Sequence, residues 1–285
     1  MKYPLVKSQT VLVTGCSSGI GLSTARKLRG HGWTVIPTAR KPEDLEMLRS
    51  ARFFPVQLDL RDSKSIERAV AETLGMTRGF LGAVVNNAGY GQPGAMEDLS
   101  RDVMRQQFEA NVFGLQELTN RLVPLFRNQR WGRIVNVSSV LGRIVTPFLG
   151  IYSASKFAVE AMSDALRVEL TGSGVAVSVI QPGPIDTRFR QRSVEQANDT
   201  LDHSSSIFNK LYDYQIRRRS EYKKPTDPFT KPPEAVAKKI AHALESRHPR
   251  IRYRVTLPAY LGDWASRWLP DRLKDRLLAS KVKRD

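Results

Sequence analysis

The chain encodes an α/β fold built on a doubly wound parallel sheet. Short apolar runs alternate with amphipathic helical stretches, the first run leads straight into a glycine-rich turn, and the chemically distinctive residues fall just after apolar runs. Alternation of this kind implies parallel strands joined by right-handed helical crossovers. In such sheets ligands collect at the carboxyl ends of the strands, which is where those distinctive residues would converge.

Taken in order, Thr10–Thr14 reads as the first strand, and Gly15-Cys-Ser-Ser-Gly-Ile-Gly21 runs directly into the helical stretch Leu22–Leu28. Gly15 permits a tight turn, Gly19 keeps side chains away from a pyrophosphate, and Gly21 lets helix and strand pack closely, with the helix N-terminus facing phosphate. Ser17, Ser18 and Ile20 complete this candidate dinucleotide loop; the alternative is a strand-to-helix turn with no ligand. The second strand, Thr34–Thr38, is followed by Arg40 and Lys41 where an NAD site normally carries an acid. Two cations suit a 2′-phosphate through charge-assisted contacts, which predicts NADP(H); the alternative is solvated loop charge before Pro42.

Phe53–Leu58 reads as the third strand and ends at Asp59, beside Leu60; Asp59 is either a ligand contact or a cap for the helix that begins near Ser63. Ala83–Asn86 is the fourth strand, closed by Asn87, Ala88 and Gly89, and Arg133–Val137 is the fifth, followed by Ser138 and Ser139. Asn111 interrupts a long helical pattern with a poor helix former. Tyr152 and Lys156 stand four apart on the next helical pattern and so share a face. A phenol ionises near pH ~10, and its use at neutrality calls for a depression of about three units, roughly 4 kcal/mol, which a neighbouring ammonium can partly supply. Val175–Ile180 is the sixth strand, and Gln181-Pro-Gly-Pro-Ile-Asp-Thr187 turns the chain after it.

Thr14-Gly-x-x-x-Gly-x-Gly21, Asn86-Asn-Ala-Gly89, Asn111, Ser139, Tyr152-x-x-x-Lys156 and Pro182-Gly183 follow one another in the order of the short-chain dehydrogenase/reductase family, which this chain resembles over about residues 8–187. The run from Pro147 to Glu160 looks most like the hydroxysteroid and retinol dehydrogenase branch. The resemblance implies a single Rossmann-fold domain over residues 1–285 and an NADP-dependent oxidoreductase acting on CH–OH groups. It implies that Ser139 binds the substrate oxygen, Tyr152 is the general acid/base, Lys156 lowers its pKa and holds ribose hydroxyls, and Asn111 opens its helix to hold a relay water. It also places Asp59 at the adenine, Asn87-Ala-Gly89 at the adenine ribose, and the Ile185 backbone and Thr187 at the carboxamide, beyond Pro182 and Gly183. By analogy the protein would be a homodimer or homotetramer built through the long helices around Asn111 and Lys156.

Beyond Thr187 the alternation stops. Residues 188–232 carry Phe189, Ile207, Phe208, Leu211, Tyr212, Ile216 and Tyr222 among many charges, which predicts a helical flap over the substrate. Leu141, Val145, Pro147, Phe148 and Leu149 predict an apolar wall, hence a bulky or apolar ketone, aldehyde or alcohol as small-molecule substrate. Arg143 is there either to meet an acidic substrate group or as a solvated rim residue.

The net charge of +17 is concentrated: Lys238–Asp285 holds thirteen Lys/Arg against five Asp/Glu, a surplus of +8. Residues 256–285 form a basic extension with an apolar stripe of Tyr260, Leu261, Trp264 and Trp268, continued by Leu273, Leu277 and Leu278. Stripes of this kind pack on their own domain or a partner subunit, or else lie on an anionic membrane as a peripheral contact. Nucleic acid is not an expected partner, because no recognition motif accompanies the charge. Neither a membrane-spanning run nor a leader is expected, which points to a cytoplasmic protein. One cysteine, Cys16, excludes an intrachain disulfide, and four scattered histidines argue against a metal. A different class of function stays open, a nucleotide-sensing binding protein on the same fold with the basic tail as its interaction surface.

Overall fold

The computed structural model describes residues 2–201, 204–213, 228–279 and 282. Seven parallel strands form one sheet in the order β3-β2-β1-β4-β5-β6-β7: β1 Thr10–Val13, β2 Thr34–Ala39, β3 Val56–Gln57, β4 Ala83–Asn86, β5 Gly132–Val137, β6 Val175–Gln181 and β7 Arg252–Arg254. The order reverses between β1 and β4, so the two halves wind away from a central crevice.

Alternation along each strand sends side chains to opposite faces, and both faces are covered. Val11, Val13, Val85, Val135 and Val137 pack on one side with Leu28 and Leu244. Leu12, Val84, Ile134 and Val177 pack on the other with Ile66, Leu118, Leu122 and Phe126. Burial on both faces is why the central strands read as continuous apolar runs. The third strand is shorter than the apolar run predicts. Arg52 turns in the left-handed region, and Pro55 brings no N–H to a ladder, so pairing with β2 begins only at Val56.

The helices relevant to the site are α1 Gly19–Gly30, α4 Arg101–Phe108, α5 Gly114–Gln129, α6 Gly150–Glu169 and α7 Phe189–Thr200. Between α4 and α5 the chain makes a π-helical turn over Glu109–Phe113. The flap is anchored at its far end where Ile185 bridges Lys231. It has its own small core, in which Phe148, Ile151, Leu99, Leu201 and Tyr212 pack together. Ile216 and Tyr222, expected on the underside of this flap, lie outside the described residues.

Two helices close the chain, Leu257–Trp268 and Asp271–Ala279. The first docks through Ala259, Gly262 and Asp263, and the second buries no residue. Among the described residues the apolar stripe of the first helix faces outward: Tyr260, Leu261, Trp264 and Trp268 are exposed, as is Leu273 on the second.

Candidate active site

The glycine loop shows why each glycine stands where it does. Gly15 lies in the left-handed region, and a Cβ there would sit 2.8 Å from the Ala88 Cα. A Cβ on Gly21 would sit 2.2 Å from the Gly15 carbonyl oxygen and 2.6 Å from the Asn87 Nδ2. The loop is thus pressed against the end of β4. Asn87 Nδ2 donates to the Thr14 carbonyl (2.9 Å) and the Gly15 carbonyl (3.2 Å), while the Asn87 and Ala88 amides donate to the Thr14 hydroxyl at 2.9 Å. Gly19 faces Thr187 across the crevice, where a Cβ would approach the threonine methyl to 3.0 Å. Cys16 is buried and donates to the Val13 carbonyl, and burial pushes its thiol up to about 12, so its role is packing.

At the far end of the crevice Arg40 and Lys41 are exposed, and Lys41 lies 3.7 Å from Glu43. Asp59 does not cap α3 (Ser63–Met76); Asp62 does, accepting from the Lys64 amide at 2.9 Å. Asp59 is instead gripped by Arg61, whose Nη2 donates to its carboxylate at 3.0 Å. Partial burial works to raise the Asp59 pKa, but the hydrogen bonds and charge of Arg61, with Arg40 behind, hold it below the usual carboxylate range. Leu60, Tyr90 and Arg61 line the same end, so a third cation joins the expected pair.

Ser139, Tyr152 and Lys156 meet at the centre of the crevice, and Asn111 bonds α6 from behind through Ser155. Tyr152, Ser139, Lys156 and Asn111 are all buried. Ser139 follows β5 and caps a short turn, accepting from the Leu141 amide at 3.1 Å, and its hydroxyl stands near enough to the Tyr152 phenol to lower its pKa. Lys156 lies one helical turn beyond Tyr152 on α6; its Nζ is 5.8 Å from the phenol ring centroid and donates to the Val137 carbonyl at 2.9 Å. Asn111 sits in the π-helical turn, fully buried, where its amide bonds the backbone of Tyr90 and the hydroxyl of Ser155. A solvent-facing asparagine is thereby excluded. Gly89 leaves room for it, since a Cβ there would reach 2.9 Å from the Asn111 Oδ1.

One electrostatic expectation is corrected. Burial pushes the Tyr152 phenol up to about 12, and the Ser139 hydrogen bond pulls it back only in part. The Lys156 ammonium is itself drawn down to about 8 by burial, which the Glu160 carboxylate only partly offsets. Desolvation outweighs charge pairing here, and the lysine proton is directed at Val137 rather than at the phenol.

A single cavity of about 2290 Å³ joins the glycine loop, the Arg40 end and the Ser139–Tyr152–Lys156 group. Pro182, Gly183, Ile185 and Thr187 form its lip, and Leu141, Pro147, Phe148 and Leu149 its apolar wall. Val145 faces solvent instead. Phe148 takes a left-handed backbone, unusual for a bulky residue, and its ring packs edge-on to Phe208 and Tyr212. Arg143 does not line the cavity; its Nε donates to Asp263 at 3.2 Å. Sequence reasoning did not single out Arg192, which lines the cavity and donates from Nη2 to the Ser17 hydroxyl at 3.2 Å. Nor did it foresee that the Phe189 ring would lie 5.5 Å from the Tyr152 ring. Among the described residues no cluster could hold a metal ion, and no helix is long and apolar enough to cross a membrane.

A parallel sheet whose reversal point opens on a glycine cradle and a buried phenol defines a dinucleotide-dependent oxidoreductase. The chain belongs to the short-chain dehydrogenase family, whose sequence pattern matches residues 9–198. It is 42% identical to the uncharacterized oxidoreductase YbbO of Escherichia coli, over 96% of this chain and 95% of that protein. It is 33% identical to an NADPH-dependent 3-dehydrocapnine reductase of Ornithobacterium rhinotracheale, over 96% of this chain and 97% of the relative. A crystal structure of a short-chain dehydrogenase from Streptomyces avermitilis superposes with a TM-score of 0.77 at 29% identity, covering 97% of this chain and 98% of the other.

Proposed function

We propose that the protein is an NADP(H)-dependent carbonyl reductase for bulky or apolar ketones or aldehydes, the reverse reaction being oxidation of the alcohol. The observation that carries this reading is the meeting of Ser139, Tyr152 and Lys156, all buried, at the apolar end of the same cavity that holds the glycine cradle at its other end.

The cradle fits a dinucleotide. Gly15, Gly19 and Gly21 leave open the space that a Cβ would fill, and Ser17, Ser18 and Ile20 complete a loop able to wrap a pyrophosphate at the start of α1. Arg40 and Lys41, with Arg61, would take the 2′-phosphate; Asp59 and Leu60 would border the adenine and Asn87, Ala88 and Gly89 its ribose. Lys156 would hold the hydroxyls of the second ribose, with Pro182, Gly183, Ile185 and Thr187 at the carboxamide. When bound, NADP(H) supplies or accepts the hydride.

The chain's own residues handle the oxygen and its proton. Ser139 and Tyr152 donate hydrogen bonds to the carbonyl oxygen, and Tyr152 passes its proton to the alkoxide that develops there. A phenol held near 12 keeps that proton through neutral pH, which suits the reducing direction. Lys156, one turn along α6, would replenish the phenol's proton, and Asn111 would extend the proton path from it. Phe189 and Phe148, the latter backed by Phe208 and Tyr212, would give the substrate an apolar wall near the phenol. A homodimer or homotetramer through α5 and α6 is the assembly favoured by the exposure of Phe113 before α5 and of Phe157 and Val168 on α6.

The cofactor half of the proposal is tested by calorimetric titration with NADPH and, separately, NADH. NADPH is expected to bind at least tenfold tighter, a difference of about 1.4 kcal/mol. Equal binding would reduce Arg40 and Lys41 to surface charge, and binding of neither would overturn the enzyme reading.

A further inference from the structure

We propose that Glu160 is a positioning residue for the acid/base group: its buried carboxylate ties the Lys156 face of α6 to the strand end that carries the Pro182–Gly183 lip, and sets a fixed negative charge behind the lysine ammonium. The inference rests on the reductase reading and names a residue that does not line the cavity. Glu160 follows Lys156 by four positions on α6, so the two share a face. It is 3% exposed, and a carboxylate so deeply buried stays charged only where donors hold it. Two donors do so. Gln181 Nε2, at the end of β6, donates to Oε1 at 2.8 Å, and Arg252 Nε, on β7, donates to Oε2 at 2.9 Å. Gln181 is itself buried, and its Oε1 finds no partner among the described residues, so the Glu160 bond fixes the orientation of its amide.

What Glu160 holds reaches the reacting groups from two sides. The residue after Gln181 begins the lip, and the Pro182 carbonyl accepts from the Val140 amide at 2.8 Å, next to Ser139. The turn after Ser139 leans on the same place: a Cβ on Gly142 would lie 3.0 Å from the Lys156 carbonyl oxygen and 3.1 Å from the Glu160 Cγ. Ser139, the lip and Lys156 are thereby packed around one carboxylate. Its charge matters as well as its bonds. The Lys156 ammonium faces the Tyr152 ring, the Val137 carbonyl of β5 and, one turn on, Glu160, whose attraction helps keep the proton that burial works to remove. Glu160 in turn faces Gln181 and Arg252, and Arg252 is shared with Asp164, which also takes Arg167. Arg252 therefore competes with Lys156 for one carboxylate. By taking Arg252 Nη2 at 2.6 Å, Asp164 draws part of that competing charge away.

The test compares wild type, Glu160→Gln and Arg252→Gln in two pH profiles. One is NADPH-dependent reduction of an apolar ketone, which for the wild type should turn down near pH 8. The other is melting temperature with neither substrate nor cofactor, where the stability gained as the folded lysine sheds its proton sets in at the same pH. Glu160→Gln keeps the shape and the Gln181 contact but removes the charge, and is expected to move both onsets down by about one pH unit. Arg252→Gln removes the competing cation, and is expected to move both up. A merely structural contact would loosen the helix in both variants and move the onsets alike. Onsets left in place by Glu160→Gln, or moved down by both variants, overturn the proposal. If Glu160→Gln does not fold, Arg252→Gln decides alone, and an onset that stays or falls overturns it. The melting profile needs no substrate, so the expected shifts there, with no ketone reduced by the wild type, would sink the reductase reading and leave the carboxylate's hold on Lys156 standing.

Discussion

The floor and the roof of the cavity are built on different principles. The floor is a set of buried polar groups locked by backbone: Thr14, Asn87, Asn111, Ser139 and Lys156 each bond a main-chain atom. The roof, from Phe189 to Tyr212, meets the glycine loop through one exposed hydrogen bond, Arg192 to Ser17, and is otherwise held by ring contacts and by bonds of Thr200, Ser206 and Tyr212 to Gln92, Ala95 and Asp98, away from the reacting groups. Backbone anchoring places an atom within tenths of an ångström, which proton transfer needs, while ring packing tolerates change, as a substrate lid must. Under the proposed function the floor would specify the chemistry, and the roof would select what it is applied to.

The sharpest way to break this contrast is to damage the floor. Gly21→Ala would force a Cβ against the Gly15 carbonyl, so we expect a loss of about 1–3 kcal/mol in denaturant unfolding from overpacking. NADPH affinity should fall with it, by up to ~10²-fold if the loop shifts by ~1 Å. Wild-type stability would show that the loop is not pressed as described.

A smaller effect, readable as a pH profile, concerns Lys156. Its ammonium titrates near 8 while Tyr152 holds its proton to about 12. Carbonyl reduction should be level below that value and fall about tenfold per pH unit above it as the lysine charge is lost. Stability should move the other way. The unfolded lysine, at about 10.5, keeps its proton where the folded one has shed it, so this group adds stability as pH rises from about 8 toward 10.5. A reduction rate level to pH 10 would remove the lysine from the mechanism.

The smallest effect belongs to the roof. Arg192→Ala removes one exposed bond, worth about 0.2–1 kcal/mol, so NADPH should bind no more than ~5-fold weaker with an unchanged melting temperature. A larger loss would mean that the roof holds the dinucleotide as tightly as the floor does.

What could be read from sequence follows the same division. Gly15, Gly19, Gly21, Tyr152 and Lys156 were legible because their meaning is local: a turn, a close approach, a shared helix face. The strand ends were legible to within a residue wherever both faces are buried. Asp59 was ambiguous because its partner, Arg61, is settled only by the side-chain path after β3. Arg143 stayed open between a substrate contact and a solvated rim because its real partner, Asp263, lies 120 positions away. The raised Tyr152 pKa was missed because burial depends on everything packed around the phenol, not on the one lysine that spacing reveals. The direction of the tryptophan stripe stayed open for the converse reason: an apolar stripe does not say which way its helix is turned.

The central claim is that Tyr152 gives its proton to the substrate oxygen while the dinucleotide is held by other groups. Single-turnover oxidation of NADPH by Tyr152→Phe, with an apolar ketone as substrate and NADPH affinity measured on the same preparation, tests it most directly. The account predicts a rate lower by about 10²–10⁴-fold with NADPH binding within about threefold of wild type. Turnover close to wild type would contradict it and move the acid elsewhere in the cavity.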